Sequence, residues 1–481
     1  MKTLVLATVS AAALLAAGAA SAQSANNVDA GISNLRSGLN AITVENSHLG
    51  TGGVAALYDS KSYVAQVGNQ NTANIDQQTA GSAGGGAVDA NYGNPQSSVV
   101  LQGWGGGRSD YNTANVSQKG TNQVSVVMQR NYPTADFGSN SANVSQEGSN
   151  KNAFTYQYGR ENRSMVLQSG DDTTTPSSSV KDSATANSGG SFAMSFHGID
   201  GTQSHLNDAG GRVIQDEAQN NNAGLSQAGA DLKGTIVQWY GERNTANVYQ
   251  TGTNNSAISY QTGKDSNIGI SQSSSNNKAS VYQVSGDQDG SAYGVVGADD
   301  SYANTAVVNQ SAAGGTALVL QGGSSNFAGI NQSGLGTESA TIRQVGMDNY
   351  ATIDQAGYGN PARPGGETAL TMQAGFNNRA TVRQSSAGDY SLIEQNGTNN
   401  VANVTQAIGG ASNSYFPVSK IDQSGANNNA NVYQTGRSTY SELTQAGQGA
   451  TNYATINQSA YNAVSYGFQT GGGNVINVNQ R

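Results

Sequence analysis

Glutamine recurs at a fixed step of eleven residues along most of this chain, and that step constrains the fold more than any other feature. Residues 244–283 show it without interruption, with Gln250, Gln261, Gln272 and Gln283 each closing a segment. It links Gln66 to Gln77, Gln118 to Gln129, and Gln146 through Gln157 to Gln168. It continues from Gln227 to Gln238, from Gln310 through Gln321 to Gln332, from Gln344 to Gln355 and from Gln373 through Gln384 and Gln395 to Gln406. The last runs are Gln423, Gln434, Gln445 and Gln458, Gln469, Gln480, while Gln238 to Gln250 and Gln332 to Gln344 are twelve-residue steps. Self-similarity of this kind is the signature of a stacked repeat architecture.

Two kinds of segment alternate, so the true period is about 22 residues. One reads N-x-A-x-[VIL]-x-Q, as in Asn112–Gln118, Asn140–Gln146, Asn244–Gln250, Asn349–Gln355, Asn400–Gln406 and Asn428–Gln434. The other carries Ser or Ala four before its Gln, as in Ala257–Gln261, Ala317–Gln321, Ala369–Gln373 and Ser391–Gln395. Alternation with period two argues for strands, with Asn244, Ala246, Val248 and Gln250 on one face and Thr245, Asn247 and Tyr249 on the other. Gly252, Gly263, Gly346, Gly397 and Gly436, with the Asn residues that often follow, offer the positive φ a tight turn needs.

The expected fold is therefore all-β: a β-solenoid with two strands per 22-residue rung and lateral loop insertions. One rung cannot bury its inner face alone, so rungs stack. Stacked amides form ladders that satisfy one another, which explains a polar Gln at inward positions. Thirty Gln-closed units, counting Gln102 and Gln215, make about fifteen rungs, about 70 Å of stack at about 4.8 Å each.

Composition fits a narrow solenoid. Of 481 residues only 36% are hydrophobic and 7% aromatic, with 63 Gly, too thin for a conventional core. Charged residues make up 11%, the net charge is −9 and no basic patch occurs, which argues against nucleic-acid or anionic-membrane partners. Cysteine is absent, so disulfides and thiolate metal sites are excluded. Residues 1–22 read as a signal peptide: Lys2, an apolar Leu4–Ala17 core too short for a membrane span, and Ala20-Ser21-Ala22 as cleavage site. Residues 23–60 lack the step and read as a cap or an export signal. Residues 61–481 form the repeat region, with insertions at 78–101, 103–111, 130–139, 169–214, 284–303, 356–369 and 407–420, read as lateral loops.

No catalytic grouping stands out, and the expectation is a non-enzyme with no cofactor and no metal. Gly263-Lys264 is followed by Asp265 and does not make a phosphate loop. His197 and His205 share a segment with Asp200 and Asp208, and His48 is the third histidine; solvated loop polars is the preferred reading. Asp287, Asp289 and Gly290 lack the Glu that would complete a calcium loop, and Asp299 and Asp300 read as solubilising charge. Trp104 and Trp239 are placed in turns, and Tyr249, Tyr260, Tyr282 and Tyr433 outward on strands. Outward apolar pairs in the second kind of strand, among them Val126 with Met128, Phe154 with Tyr156, Ile258 with Tyr260, Leu318 with Leu320, Leu370 with Met372, and Tyr466 with Phe468, are expected to form a broken exposed stripe interrupted by Arg343, Glu394 and Asp422.

The unit N-x5-Q-x-G-x-[NG]-[NG]-x-A-x3-Q at Asn244–Gln261 closely resembles the curlin repeat of curli fibre subunits, and Asn140–Gln157 and Asn378–Gln395 show it with small departures. The resemblance covers roughly 61–481 less the insertions. It implies a secreted β-solenoid that self-assembles end to end into extracellular amyloid fibres for adhesion and biofilm. It further implies export through the periplasm of a Gram-negative bacterium by a dedicated pore and chaperones, and internal ladders at positions such as Gln250, Asn255, Gln261 and Gln395. Asn commonly stands where the family has Ser at the repeat start, and the chain is longer and more loop-laden than a typical major subunit. The competing readings are an accessory or nucleator subunit, or a soluble solenoid whose array of Thr113, Asn115, Thr245 and Asn247 binds a sugar, a host protein or ice; a β-helix hydrolase lacks the acidic cluster it needs.

Overall fold

The computed structural model describes residues 60–66, 70–79, 96–102, 111–121, 123–131, 138–172, 210–284, 303–334, 337–357, 366–386, 388–407, 416–447 and 449–481. The signal peptide, nearly all of 23–60, the central parts of the insertions, the three histidines with Asp200 and Asp208, the aspartates at 287, 289, 299 and 300, and Trp104 lie outside them. The chain falls into two units, Met1–Tyr240 and Gly241–Arg481. The described residues hold thirty strands and no helix.

In the first unit the strands alternate between two sheets. β1 (Ser60–Gln66), β3 (Gln96–Gln102), β5 (Val124–Arg130), β7 (Asn152–Arg160), β9 (Gly210–Gln219) and β11 (Lys233–Glu242) lie in one. β2 (Thr72–Thr79), β4 (Thr113–Thr121), β6 (Ser141–Ser149), β8 (Arg163–Asp171) and β10 (Asn222–Ala230) lie in the other. The second unit repeats the scheme from β12 (Thr245–Thr253) and β13 (Ser256–Lys264) to β29 (Val464–Thr470) and β30 (Val475–Gln480), odd strands in one sheet and even strands in the other. Every pairing described is parallel and joins strands two apart, as a solenoid requires.

Register follows the glutamines. Gln321 stands opposite Gln344 and Gln332 opposite Gln355, so the twelve-residue step is absorbed outside the ladder. Gln157 pairs Gln215 and Gln168 pairs Gln227 across the longest insertion. Ala246, Val248 and Gln250 are buried, as are Ala257, Ser259 and Gln261 from the facing sheet. The core is thus three columns per sheet: a small residue, a mostly β-branched residue and Gln. β-Branched side chains suit this pleated, filled interior.

Gln does not end the strands. β12 runs on to Thr253 and β17 (Thr316–Ser324) three residues past Gln321. This corrects the placing of Trp239, which lies within β11 one residue beyond Gln238 and is buried. It also puts Gly263 and Lys264 inside β13, and Asp265, in the turn just past it, is held bidentate by Arg243 at 2.7 and 2.8 Å.

Two positive-φ positions follow the Gln of an odd strand, the first still inside the strand and the second at the turn. Gly346, Gly375 and Gly397, each two beyond a Gln, have φ of 115°, 113° and 134°. Asp348, Asn377 and Asn399, two residues later, have φ of 56°, 52° and 56°. Only glycine fits the first position, because a β-carbon on Gly375 would overlap the carbonyl oxygen of Gly397 one rung on. Gly375→Ala should therefore lower stability by about 1–3 kcal/mol or more. Asn377→Gly, at a site whose φ glycine adopts freely, should change it by under about 1 kcal/mol. Denaturant midpoints of the two variants check the contrast.

Candidate functional site: amide ladders and the last rung

Parallel stacking places each Gln side chain one rung from the next. In the second unit Nε2 of Gln250 donates to Oε1 of Gln272 at 2.7 Å, and the chain of bonds continues through Gln310, Gln332, Gln355, Gln384, Gln406, Gln434 and Gln458 to Gln480. A second ladder in the odd sheet runs from Gln261 through Gln283, Gln321, Gln344, Gln373, Gln395, Gln423 and Gln445 to Gln469. In the first unit Gln77, Gln118, Gln146, Gln168 and Gln227 form one ladder, and Gln66, Gln102, Gln129, Gln157, Gln215 and Gln238 the other.

The second Nε2 hydrogen is also used. Gln272 donates to the carbonyl of Ser256 at 3.0 Å and Gln332 to that of Thr316 at 3.1 Å, each at the entry of a strand in the facing sheet. The buried amide thus meets both donors and its acceptor, which removes the penalty of burying it. Every Gln ladder has a direction: the earlier rung donates, the later rung accepts.

Asparagine builds a further ladder six residues before the even-strand Gln, interrupted only by Ser266 before Gln272 among the described residues. Oδ1 of Asn326 accepts the main-chain N–H of Asn349 at 3.1 Å, and Nδ2 of Asn326 donates to the carbonyls of Gly322 and Gly346 at 3.1 and 2.9 Å. The same pattern links Asn349, Asn378, Asn400 and Asn428. The Asn that opens each segment therefore clamps the glycine turn of the following rung. Asn255, inferred as a ladder residue, does this at the other turn, where its Oδ1 accepts from the N–H of Asn277 at 2.9 Å.

Among the described residues, β29 and β30 each have a single hydrogen-bonded neighbour, β27 (Tyr440–Gly447) and β28 (Asn452–Gln458). The inward Ile476, Val478 and Gln480 of β30 remain half-exposed, unlike every earlier even strand of this unit. Nε2 of Gln469 and of Gln480 meets only a main-chain carbonyl, of Tyr453 and Val464, with no further Gln to receive it.

The outward face differs from expectation. Alternation places the apolar pairs outward as read, but Val126, Met128, Tyr156 and Tyr260 are buried, and Tyr260 lies 6.3 Å from the Tyr282 ring. Alternation decides which side a residue faces; segments outside the ladder decide whether that side meets water. Leu318, Leu320, Leu370 and Met372 are half-buried, and only Tyr466 and Phe468, 72% and 69% exposed, stand fully in solvent. Tyr249 and Tyr433 are exposed. No group of three or more His, Cys, Asp or Glu among the described residues is arranged to hold a metal ion, and no helix there is long and apolar enough to cross a membrane.

This geometry defines a parallel β-solenoid cemented by side-chain amide ladders. The curlin associated repeat is matched at residues 138–170 and 241–273, within the repeat region of each unit. No curated protein matches the chain. Replacing one ladder member tests the bonding: Gln332→Leu strips Gln310 of its acceptor and Gln355 of its donor, and should cost about 1–3 kcal/mol. The outward Asn331→Thr should stay within about 0.5 kcal/mol. Chemical unfolding of both variants provides the comparison.

Proposed function

We propose that this protein is the structural subunit of an extracellular curli-like amyloid fibre that serves cell adhesion and biofilm matrix, assembling by end-to-end stacking of rungs. The observation that carries this reading is the stacking itself: strands pair in parallel and each Gln amide is satisfied by the Gln of the next rung, an arrangement that sets no limit to the number of rungs. Within the described residues β29 and β30 each pair on one side alone, with Ile476 and Val478 half-exposed and Gln469 and Gln480 donating to a main-chain carbonyl. An open parallel edge of this kind is a template for another chain. A second copy adding here continues strand pairing, core columns and both Gln ladders at once. The repeat match supports the same reading.

In this proposal residues 1–22 direct export, residues 23–60 act as cap or export signal, and a curli-type pore with its chaperones carries the chain to the cell surface. The role is structural rather than catalytic, since the inward positions are spent on packing and ladders. The outward Leu318, Leu320, Leu370 and Met372 serve lateral bundling or surface attachment.

Electron microscopy of the purified mature chain should show fibres, and a soluble monomer under all conditions would refute the reading. A Pro- and Lys-rich segment appended after Arg481 should slow elongation, while unchanged growth kinetics would count against addition at β29 and β30. Replacing Leu318, Leu320, Leu370 and Met372 with Thr should leave fibres that bundle or adhere less, read by sedimentation and adhesion assays. Loss of fibre formation with bundling intact would reject the lateral role.

A further inference from the structure

The position six before an odd-strand Gln in the second unit runs Asn255, Asn277, Gly315, Glu338, Glu367, Asp389, Pro417, Thr439 and Ala463 along the stack. The main chain keeps it in register: Thr316 N–H donates to the Glu338 carbonyl at 2.7 Å, Ser339 to Glu367 at 2.8 Å, Thr368 to Asp389 at 2.8 Å. Three acids therefore stand on three successive rungs, about 4.8 Å apart along the stack. They occupy the place where Asn255 makes its amide bonds.

All three are buried, at 2%, 2% and 1% exposure. No well-aligned donor meets either side-chain oxygen of Glu338 or Glu367, or Oδ1 of Asp389, while Oδ2 of Asp389 accepts the Ser386 N–H at 3.0 Å. The main-chain N–H groups of Gly334 and Gly357, and those of Ser385 and Ser386 with the Ser386 hydroxyl, lie close enough to favour the charged form of Glu338, Glu367 and Asp389, and burial outweighs them at each site. The Glu carboxyls lie against glycine, since a β-carbon on Gly334 or Gly357 would overlap Oε1 of Glu338 or Glu367. Gly315 and Pro417 bound the column and bring no charge. Among the described residues no cation compensates it. The charges acting on Glu367 are Asp389, Glu338 and Asp354, all negative. On the strands that pack here, Arg343 of β19 (Ser339–Met347), Asp354 of β20 (Tyr350–Gln355), Arg379 and Arg383 of β22 (Arg379–Gln384) and Glu394 of β23 (Tyr390–Thr398) all stand at outward positions. β18 (Phe327–Gln332) and β21 (Thr368–Phe376) contain no charged residue.

Three ionised carboxylates cannot share such a column, because burial and mutual repulsion both favour the neutral form. We propose that Glu338, Glu367 and Asp389 form a protonated carboxyl ladder, so that rungs β18–β23 fold with proton uptake and are loosened when the protons leave. The column is a pH-sensitive lock within an otherwise pH-indifferent amide stack, and it acts whether or not the chain polymerises.

Burial is the leading cause of the raised affinity at each site: Glu338 is pushed up to about 7, Glu367 to about 9 with Asp389 and Glu338 adding repulsion, and Asp389 to about 8. The unfolded chain releases these protons near the ordinary values of 4.5 and 3.8. The folded chain thus holds more protons than the unfolded chain between those limits. Stability is greatest in acid, falls as pH rises from about 5 to about 9, and levels off above the folded values, with the folding equilibrium changing about tenfold per pH unit for each retained proton.

The test uses the full chain and the variant Glu338→Gln, Glu367→Gln, Asp389→Asn, whose amides keep shape and remove the protons. The folded wild-type protein at neutral pH should show the infrared C=O band of a protonated carboxyl, which ordinary surface carboxylates do not give, and the triple variant should lack it. Denaturant stability of the wild type should fall from about pH 5 to about pH 9, and that of the variant should be markedly flatter. Absence of the band from folded wild type at neutral pH, or a variant with the wild-type pH slope, overturns the proposal. Calcium chloride added at about pH 8 is the third arm: restored stability with loss of the band would make the column a cation site instead, and no effect supports the proton ladder.

Discussion

A side-chain amide buried in a narrow core is tolerable only if an identical amide lies one rung away. That condition governs the whole structure. Gln332 has its oxygen filled by Gln310, one N–H spent on Gln355 and the other on the Thr316 carbonyl. Remove the stacking and each of these becomes an unmet buried group. The ladder therefore demands parallel strands, zero register slip and a fixed spacing, and it penalises every alternative pairing. A one-residue slip would turn the Gln outward and bring Asn, Thr or Arg into the core. Thin hydrophobic composition is not a weakness here, because the specificity a larger apolar core would supply comes from amides that recognise only themselves.

The turns obey the same logic. Gly375 is needed because its own rung must pass beneath the Gly397 carbonyl, and that carbonyl is in turn the acceptor for Asn378. Glycine and asparagine are thus coupled across rungs: the first lets the main chains approach, and the second uses the approach to close its bonds. Insertions enter between strands without disturbing this, as the direct Gln157–Gln215 bond shows. Loop length matters little once both ends are tied into register.

Much of this was legible in the sequence. The eleven-residue step gave both sheets, the face of each strand and the inward Gln, and the repeat of Asn244, Ala246, Val248 and Gln250 gave the order of the core columns. Three things were not legible. Strand ends were misplaced because the strand continues past Gln into the glycine approach, so Trp239 reads as a turn residue and is a strand residue. Solvent access on the outward side was misjudged at Tyr260 and Met128, since period-two alternation carries no information about what lies over a sheet. The acid column was invisible because Glu338, Glu367 and Asp389 sit 29 and 22 residues apart, with an insertion between the first two. Only the ladder register shows that they share one column.

That column illuminates what a stacked fold does to any inward residue. Stacking multiplies like by like: an amide, which carries donor and acceptor together, becomes self-satisfying, and a carboxylate, which carries only acceptors, becomes self-repelling. A carboxylic acid regains a donor when it takes up a proton, and then resembles the amide it replaces. The buried Lys151 of the first unit solves the same problem differently. It stands six before Gln157, the equivalent turn position, and pairs with the equally buried Asp172 at 2.9 Å while donating to the Gly229 carbonyl at 3.0 Å. There the charge is met by an opposite charge brought from the edge of the longest insertion. In the second unit no such partner is described, and protonation is the remaining way to bring donors into the column. The same turn position thus tolerates an amide, an ion pair or a protonated acid, and each choice meets the one rule that the repeat imposes, that whatever points inward must be satisfied by what is stacked against it.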